Sequence, residues 1–268
     1  MGRDDADRIR HDLYLTMRAA LLVAALMALS ASARAQHRAG WGGVVSYGVE
    51  AFRSDREAWQ RSQVAVQRRF SEGAASLEAG HWRRNGETAP FAATDLYRSF
   101  GRAGYGNLRA QVAPGATAIA RSDLLGEGYL ALGGGWEGSF GVRHLTFEAN
   151  TVTLGTGSLA RYAGNWLIRV RAVVDPAAVT GVSTSLSARH LFDGTGGLTA
   201  PFAEVRLGQG QEPIVAPDGT AAIRQSWGVS VRAQRPVLGR VGLSVGTGYT
   251  IDGTLSRWHT DLGVAAAF

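Results

Sequence analysis

The chain has 268 residues, with 28 basic and 22 acidic side chains and a formal net charge of +6, and all 28 basic side chains are arginines. Because the arginines are spread along the whole chain, we expect no nucleic-acid partner, and a single short apolar run excludes a bundle of transmembrane helices. The lack of cysteine excludes disulfides and thiolate metal sites. Many glycines (36) and few prolines (7) are typical of strands joined by tight turns.

The first segment has the features of a secretory signal. Arg18 precedes an apolar run over residues 19–29, and Ala33-Arg34-Ala35 is an A-x-A cleavage site, so we expect the mature chain to begin at Gln36. The apolar run, of about eleven residues, is too short to span a bilayer. The preceding stretch is acidic, which is unusual for a signal, and this indicates that translation starts at Met17.

From Gln36 onward the residues alternate with a period of two, as in half-buried strands. Between Val241 and Ile251, for example, large side chains alternate with Gly, Ser and Thr. We therefore predict a signal peptide with an N-terminal extension over residues 1–35 and one all-β domain over residues 36–268. This domain is a transmembrane antiparallel up-and-down β-barrel of about fourteen strands, or twelve if two short segments are loops. The predicted strands are 42–53, 58–70, 74–84, 91–101, 104–113, 121–133, 135–148, 151–163, 164–175, 181–192, 198–210, 221–235, 240–252 and 256–268.

The connections between these strands indicate an orientation. Short periplasmic turns and longer outer loops are typical of outer-membrane barrels. With both termini in the periplasm, the long connections 85–90, 113–120, 175–180 and 209–221 face outward, and the tight turns 101–104, 133–135 and 236–239 face the periplasm. We expect the connection 209–221 to be the one that folds in and narrows the opening.

Aromatic residues lie near the predicted strand ends, where girdles at the two membrane interfaces would place them. They are Trp41, Trp59, Phe70, Trp82, Phe100, Trp136, Trp166, Trp227, Trp258 and Phe268.

The last strand has the pattern of a barrel-insertion signal and ends on an aromatic residue. We expect it to pair with the strand near residues 42–53, which leaves the sheet without an edge. We also expect it to be read by the barrel-assembly machinery. Its outward row consists of Trp258, Thr260, Leu262, Val264, Ala266 and Phe268.

The middle of the chain resembles the YaiO family of outer-membrane β-barrel proteins. The resemblance rests on residues 94–101 (TDLYRSFG), 103–106 (AGYG), 135–143 (GWEGSFGVR) and 156–166 (TGSLARYAGNW), and it is clearest over residues 91–192. It implies the outer membrane and the barrel fold, and it implies no particular activity.

The polar face of the predicted strands carries many charges. A charge facing lipid near the midplane costs about 2–4 kcal/mol, so we assign these side chains to the lumen. They either line an aqueous path that favours anions or pair across strands and brace the wall. The candidates are Arg109, Arg143, Arg169, Arg171, Arg189, Arg206, Arg224, Arg232, Glu127, Glu137, Glu204 and Asp261.

The sequence offers little for catalysis. His259 and Asp261 share a face of the last strand, but positions two apart on a strand are about 7 Å apart, too far for a hydrogen bond. We predict no catalytic residue, no cofactor and no metal site, because the histidines lack metal-ligand spacing.

Three functions remain open at this point. The first is a passive channel or transport component for polar or anionic solutes, including saccharides. The second is a structural or assembly barrel with a salt-bridged, closed lumen. The third is an enzyme that modifies lipid or lipopolysaccharide. In each case we expect outer-membrane lipid and lipopolysaccharide to surround the barrel.

Overall fold

The computed structural model describes residues 40–54, 56–176, 181–194, 197–215, 221–252 and 255–268, with the backbone alone at 211–215, 221–224 and 255. The predicted signal peptide lies outside these ranges. In the described part no helix has the length and apolar character needed to cross a membrane. The strands are β1 (Gly40–Phe52), β2 (Trp59–Phe70), β3 (Gly73–Arg84), β4 (Glu87–Ser99), β5 (Gly104–Val112), β6 (Ser122–Gly133), β7 (Trp136–Thr146), β8 (Thr151–Ala163), β9 (Trp166–Val174), β10 (Val182–Leu191), β11 (Phe202–Val215), β12 (Ala221–Leu238), β13 (Val241–Asp252) and β14 (Leu255–Ala267).

These strands form one closed barrel in which neighbours in sequence are neighbours in space. Every pair is antiparallel, and β14 closes the barrel against β1, with Gly42 opposite Ala267 and Phe52 opposite Arg257. The predicted all-β architecture and the count of fourteen strands are confirmed, as is the closing pair. We call the end at which β1 begins and β14 ends the terminal end, and the opposite end the distal end.

The connection between β3 and β4 is shorter than predicted. Arg84 pairs with Glu87, so the predicted loop over 85–90 is a turn of two residues. Asn85 and Gly86 both have positive φ (53° and 80°), as a type I′ hairpin turn requires. Pro90 lies within β4 and pairs with His81 of β3. On its other side β5 has already ended, because its last residue, Val112, is opposite Ala92. Pro90 therefore has a strand neighbour on one side only, where its missing N–H is tolerated.

The connection between β11 and β12 also differs from the prediction. The strands continue as a ladder from Gly210 opposite Ser226 to Val215 opposite Ala221, where a loop over 209–221 was expected. The ladder between β10 and β11 reaches only Gln209, and that between β12 and β13 only Ser226. The two strands therefore extend past their neighbours as a two-stranded ribbon at the distal end. The tip of this connection, residues 216–220, lies outside the described residues.

The alternation of the sequence gives the sheet two unlike faces. Val45 lies between Val64 of β2 and Val264 of β14, whereas Glu127 lies between Asn107 of β5 and Gly141 of β7. Most of the large side chains that share the face of Val45 are apolar and exposed, and we call this the apolar face; the other is the charged face. Members of the apolar face include Leu77, Leu108, Leu124, Phe140, Val142, Val170, Leu207, Val229, Trp258 and Leu262.

Two of the aromatic residues assigned to the interface girdles lie elsewhere. Trp59 is buried and shares the charged face with Arg61, and Trp82 shares it with Glu78. Arg84 lies over both indole rings, 4.1 Å from the centroid of Trp59 and 4.5 Å from that of Trp82. The other members of the girdle set are exposed, as aromatics at an interface would be.

If the apolar face contacts lipid, a charge there should cost far more than a charge on the charged face. We expect Val170→Arg, at a half-exposed apolar position, to lower the free energy of unfolding by about 2–4 kcal/mol. Gly208→Arg is the matched control, because Gly208 lies on the charged face between Ser185 and Gly228. Urea unfolding from phospholipid vesicles measures both variants. Equal destabilisation by the two arginines would contradict the assignment of the faces.

Candidate functional site: the charged face

Side chains of the charged face meet across strands that are not neighbours. Arg171 of β9 contacts Glu127 of β6 at 3.0 Å, although β7 and β8 lie between them. Strands are spaced about 4.8 Å apart, so three strand spacings are roughly 14 Å along the wall. Side chains converge in this way only on the concave side of a curved sheet. We therefore infer that the charged face is the interior of the barrel.

The first cluster of charges lies on β2 to β5. Glu78 accepts from Arg61 at 2.7 Å and pairs with Arg109 at 3.4 Å, and Arg109 also binds Asp95. Asn107, which is buried, donates to Asp95 at 3.1 Å. The two carboxylates are thus held by two guanidinium groups and an amide, and such charge-assisted bonds hold their geometry well.

The second cluster spans β5 to β9. The Glu127 side chain is only 1% exposed, and it accepts from Arg171 and from the Ser139 hydroxyl, the latter at 2.8 Å. Glu137 accepts from Arg169 at 2.8 Å and from Tyr105 at 3.4 Å. Gly141, opposite Glu127, makes this approach possible, because a Cβ there would collide with Glu127 and the carbonyl oxygen of Gly126.

Two further sets of contacts complete this part of the wall. Arg143 forms a bidentate pair with Asp123, at 2.8 and 2.6 Å. Glu50 of β1 lies between Arg84 of β3, at 3.7 Å, and Arg257 of β14, at 3.2 Å. From β14 through β1 to β9 the charged face is therefore braced by arginine–carboxylate pairs. We call this part the braced wall.

The remaining part of the charged face, on β10 to β13 and on β14 from His259 onward, is lined mainly by small residues. Among the arginines with a described side chain there, Arg206 is 57% exposed and Arg232 50%, more than any arginine named on the braced wall, and Arg189 is 37% exposed. Its small members are Ser183, Ser185, Ser187, Gly208, Gly210, Ser226, Gly228, Ser230, Ser244, Gly246, Gly248 and Gly263. We call this part the small-residue wall.

The arginines of the small-residue wall share two carboxylates. Glu204 lies 2.6 Å from Arg189 and 3.4 Å from Arg206, and Asp261 lies 3.7 Å from Arg232. Three cations with two anions leave this group with an excess of positive charge. Water reaches about half of the Arg206 and Arg232 side chains.

The residues singled out from the sequence are thus brought together in pairs on one face. Each of the predicted charged residues with a described side chain takes part in an arginine–carboxylate contact. Arg224 is opposite Glu212 in the backbone register, but its side chain lies outside the described residues. The prediction missed four residues of the charged face. Each lies an even number of residues from a charged residue of the same strand, and this spacing would have placed it on that face. The four are Trp59, Arg84, Tyr105 and Tyr129.

At the distal end the connection between β5 and β6 folds over the charged face. Ala113, Ala116 and Ile119 are buried against Ala89 and Phe91 of β4. A second small apolar cluster is formed by Leu145 of β7, Phe147 just after β7 and Leu154 of β8, and Ala120 of the same connection packs against it.

The same connection is anchored by the carboxylate of Glu87, which shares the face of Ala89 and Phe91. Glu87 accepts from the backbone N–H groups of Thr117 and Ala118, at 2.9 and 2.8 Å, and from the Thr117 hydroxyl at 2.6 Å. The connection therefore packs inward on the barrel wall.

One serine and one histidine meet on the apolar face. The Ser62 hydroxyl lies 3.0 Å from Nδ1 and 3.2 Å from Nε2 of His81, so it faces the ring without selecting one nitrogen. His144 contacts the Thr153 hydroxyl on the same face at 2.9 Å. Two histidines on this face thus contact a hydroxyl group, and among the described hydrogen bonds no carboxylate contacts His81. Both observations favour simple hydrogen bonding over a nucleophile–base pair.

A family model for the YaiO membrane beta barrel domain matches residues 43–213. The chain therefore belongs to the YaiO family of membrane β-barrels. Membrane β-barrels with an even number of strands are typical of the bacterial outer membrane. The family and the closed fourteen-strand barrel therefore place this protein in the outer membrane.

No curated protein matches the sequence of this chain significantly. Solved structures with a similar barrel include Acinetobacter baumannii OccAB1 (8% identity, TM-score 0.48, covering 86% of this chain and 96% of that one). Pseudomonas aeruginosa OpdQ has 9% identity and a TM-score of 0.45, with 87% and 99% covered, and the KdgM porin has 10% and 0.42, with 84% and 99% covered. Similarity at this level says nothing about solute or activity.

The contact between Arg171 and Glu127 should be a major stabilising element of the braced wall. We expect Arg171→Met to lower the free energy of unfolding by about 3 kcal/mol, because it leaves a deeply buried carboxylate without its cation. The double variant Arg171→Met/Glu127→Gln should recover most of that loss. Arg206→Met, which removes a well-exposed arginine, serves as the control and should change stability little. Urea unfolding in detergent micelles gives all three values, and a double variant no more stable than Arg171→Met would contradict the pairing.

Proposed function

We propose that this YaiO-family barrel is a passive outer-membrane channel for polar solutes, with a preference for anions. Anionic saccharides are one solute class that this chemistry suits, since they combine hydroxyl groups with negative charge.

The proposal is supported by a difference between the two walls in the size and the exposure of their side chains. The arginines of the braced wall are engaged with carboxylates that are largely buried, so they serve mainly to hold the barrel in shape. On the small-residue wall, glycine and serine take up little of the interior, and Arg206 and Arg232 expose about half of their side chains. Guanidinium groups placed along a wet path stabilise anions through bidentate hydrogen bonds and long-range attraction.

A structural barrel with a closed lumen is the second candidate, and the braced wall is the observation that favours it. Contacts such as Arg171–Glu127 reach over two intervening strands and fill interior space. If such contacts closed the whole section, the barrel would conduct nothing. The small residues of β10 to β14 are what distinguish the two candidates, because they leave that side of the interior without long crossing side chains.

We further propose that both termini lie in the periplasm and that β14 carries the insertion signal read by the barrel-assembly machinery. Trp258, Leu262, Val264 and Phe268 are all well exposed on the apolar face or at its end, and Ala266 lies in the same row, where lipid or an insertion partner could contact them. The two-residue turns at the terminal end, such as that between Gly133 and Trp136, fit the short periplasmic turns of such barrels.

Removing charge from the small-residue wall should reduce selectivity for anions. We expect Arg206→Ser/Arg232→Ser to shift the reversal potential in a KCl gradient toward the cation side, because the two most exposed positive charges described on that wall are lost. Arg235→Ser is the matched control, since Arg235 lies on β12 three residues from Arg232 and on the opposite face. Planar-bilayer recordings of the three proteins make the measurement. A folded wild-type protein that never conducts would favour the closed barrel instead.

A further inference from the structure

The connection between β10 and β11 differs from its neighbours at the terminal end. It runs over residues 192–201, whereas the turns between β8 and β9 and between β12 and β13 have two residues each. Part of it was predicted as the start of a strand at residue 198, but β11 begins at Phe202. We call its described last part, Gly197–Pro201, the constriction segment.

Hydrogen bonds hold the constriction segment to the charged face. Gln234 of β12 shares that face with Arg232, and its Nε2 donates to the carbonyl oxygens of Leu198 and Ala200, at 2.8 and 3.0 Å. Within the segment the N–H of Ala200 donates to the carbonyl of Gly197 at 3.2 Å, which forms a tight turn. The segment is therefore anchored on the inside of the wall at the terminal end.

Two glycines on the charged face make room for the segment. A Cβ on Gly42 of β1 would collide with the Leu198 side chain, and a Cβ on Gly242 of β13 would lie 3.3 Å from Cβ of Thr199. Ala265 of β14, opposite Gly242 of β13 and Val44 of β1, is 5% exposed, and Ala200 is 2% exposed. The segment thus covers the inner surface of four strands, from β12 to β1.

We propose that the constriction segment is a fixed narrowing of the channel that sets the largest solute able to pass. A fourteen-strand barrel is roughly 28 Å across its backbone, and side chains reduce the opening to about 15 Å. Packed layers of polypeptide lie about 10 Å apart, so a segment laid against one wall takes up much of that opening. The segment is held in one position by hydrogen bonds from Gln234 of β12 and by close packing on Gly42 of β1 and Gly242 of β13. It therefore acts as a size filter. This inference rests on the proposed channel function.

The position of the segment can be tested without reference to transport. The chain has no cysteine, so Thr199→Cys/Gly242→Cys introduces one thiol pair, at a Cβ separation close to that of a disulfide. We expect complete cross-linking under mild oxidation, seen as loss of free thiol by mass spectrometry. Thr199→Cys/Gly246→Cys, two inward positions further along β13, is the control and should not cross-link. Failure of the first pair to cross-link would overturn the placement.

The role of the segment is tested by conductance and by liposome swelling with sugars of increasing size. We expect deletion of residues 198–200 to raise conductance about twofold and to admit larger sugars. Leu198→Gly, which keeps the chain length, should act in the same direction with a smaller effect. Deletion of three residues from the connection between β1 and β2, at the distal end, is the control and should leave the size limit unchanged.

The outcomes separate this inference from the proposed function. A conducting wild type whose size limit is unaltered by the deletion overturns the filter and leaves the channel standing. If neither protein conducts, both fail, while the cross-link still reports where the segment lies. The oxidised and reduced forms of Thr199→Cys/Gly242→Cys should conduct equally, and a change on oxidation would show a moving gate where we infer a fixed filter.

Discussion

The pairing of β14 with β1 is the constraint on which the rest of this molecule depends. A bilayer offers no water to unpaired backbone groups, so a sheet survives there only when it has no edge. Closure also gives the sheet a concave side, and it is on that side that charges from separated strands converge. Lipid contact, ion pairing and any path for solute therefore follow from one ladder between the first and last strands.

The interior is divided unequally among the strands. Where long side chains of both signs face each other, as with Arg109 and Asp95 or Arg171 and Glu127, the charges neutralise one another and stiffen the wall. Where glycine and serine predominate, Arg206 and Arg232 contact carboxylates only at 3.4 and 3.7 Å, and water reaches about half of each side chain. The long ion-paired side chains and the small residues thus lie on different strands, and the proposed path for solutes lies beside the small residues.

Connections at both ends turn inward. At the distal end, alanines of the connection between β5 and β6 pack on Phe91 while the Glu87 carboxylate caps the backbone N–H groups of Thr117 and Ala118. At the terminal end, Gln234 satisfies two carbonyl groups of the constriction segment. In both places a polar side chain of the charged face satisfies loop backbone groups that would otherwise be buried without partners. The opening is therefore shaped by loops as well as by strands.

Alternation with a period of two predicted about fourteen strands, their order and the shared face of most of the charged residues, with twelve strands left open and Arg84 missed. Strand pairing in an up-and-down barrel is local, so hydrophobic periodicity and turn residues specify it directly. The same alternation places Trp59 and Trp82 on the charged face. The prediction assigned them to the interface girdles because they lie near strand ends. Only the tertiary structure decided which charges meet, because Arg171 and Glu127 are 44 residues apart and become partners through the curvature of the wall. It also decided that residues 197–201 lie against the inner wall and that residues 209–215 continue as a strand, because the space for residues 197–201 is provided by Gly42 and Gly242 on strands remote in sequence.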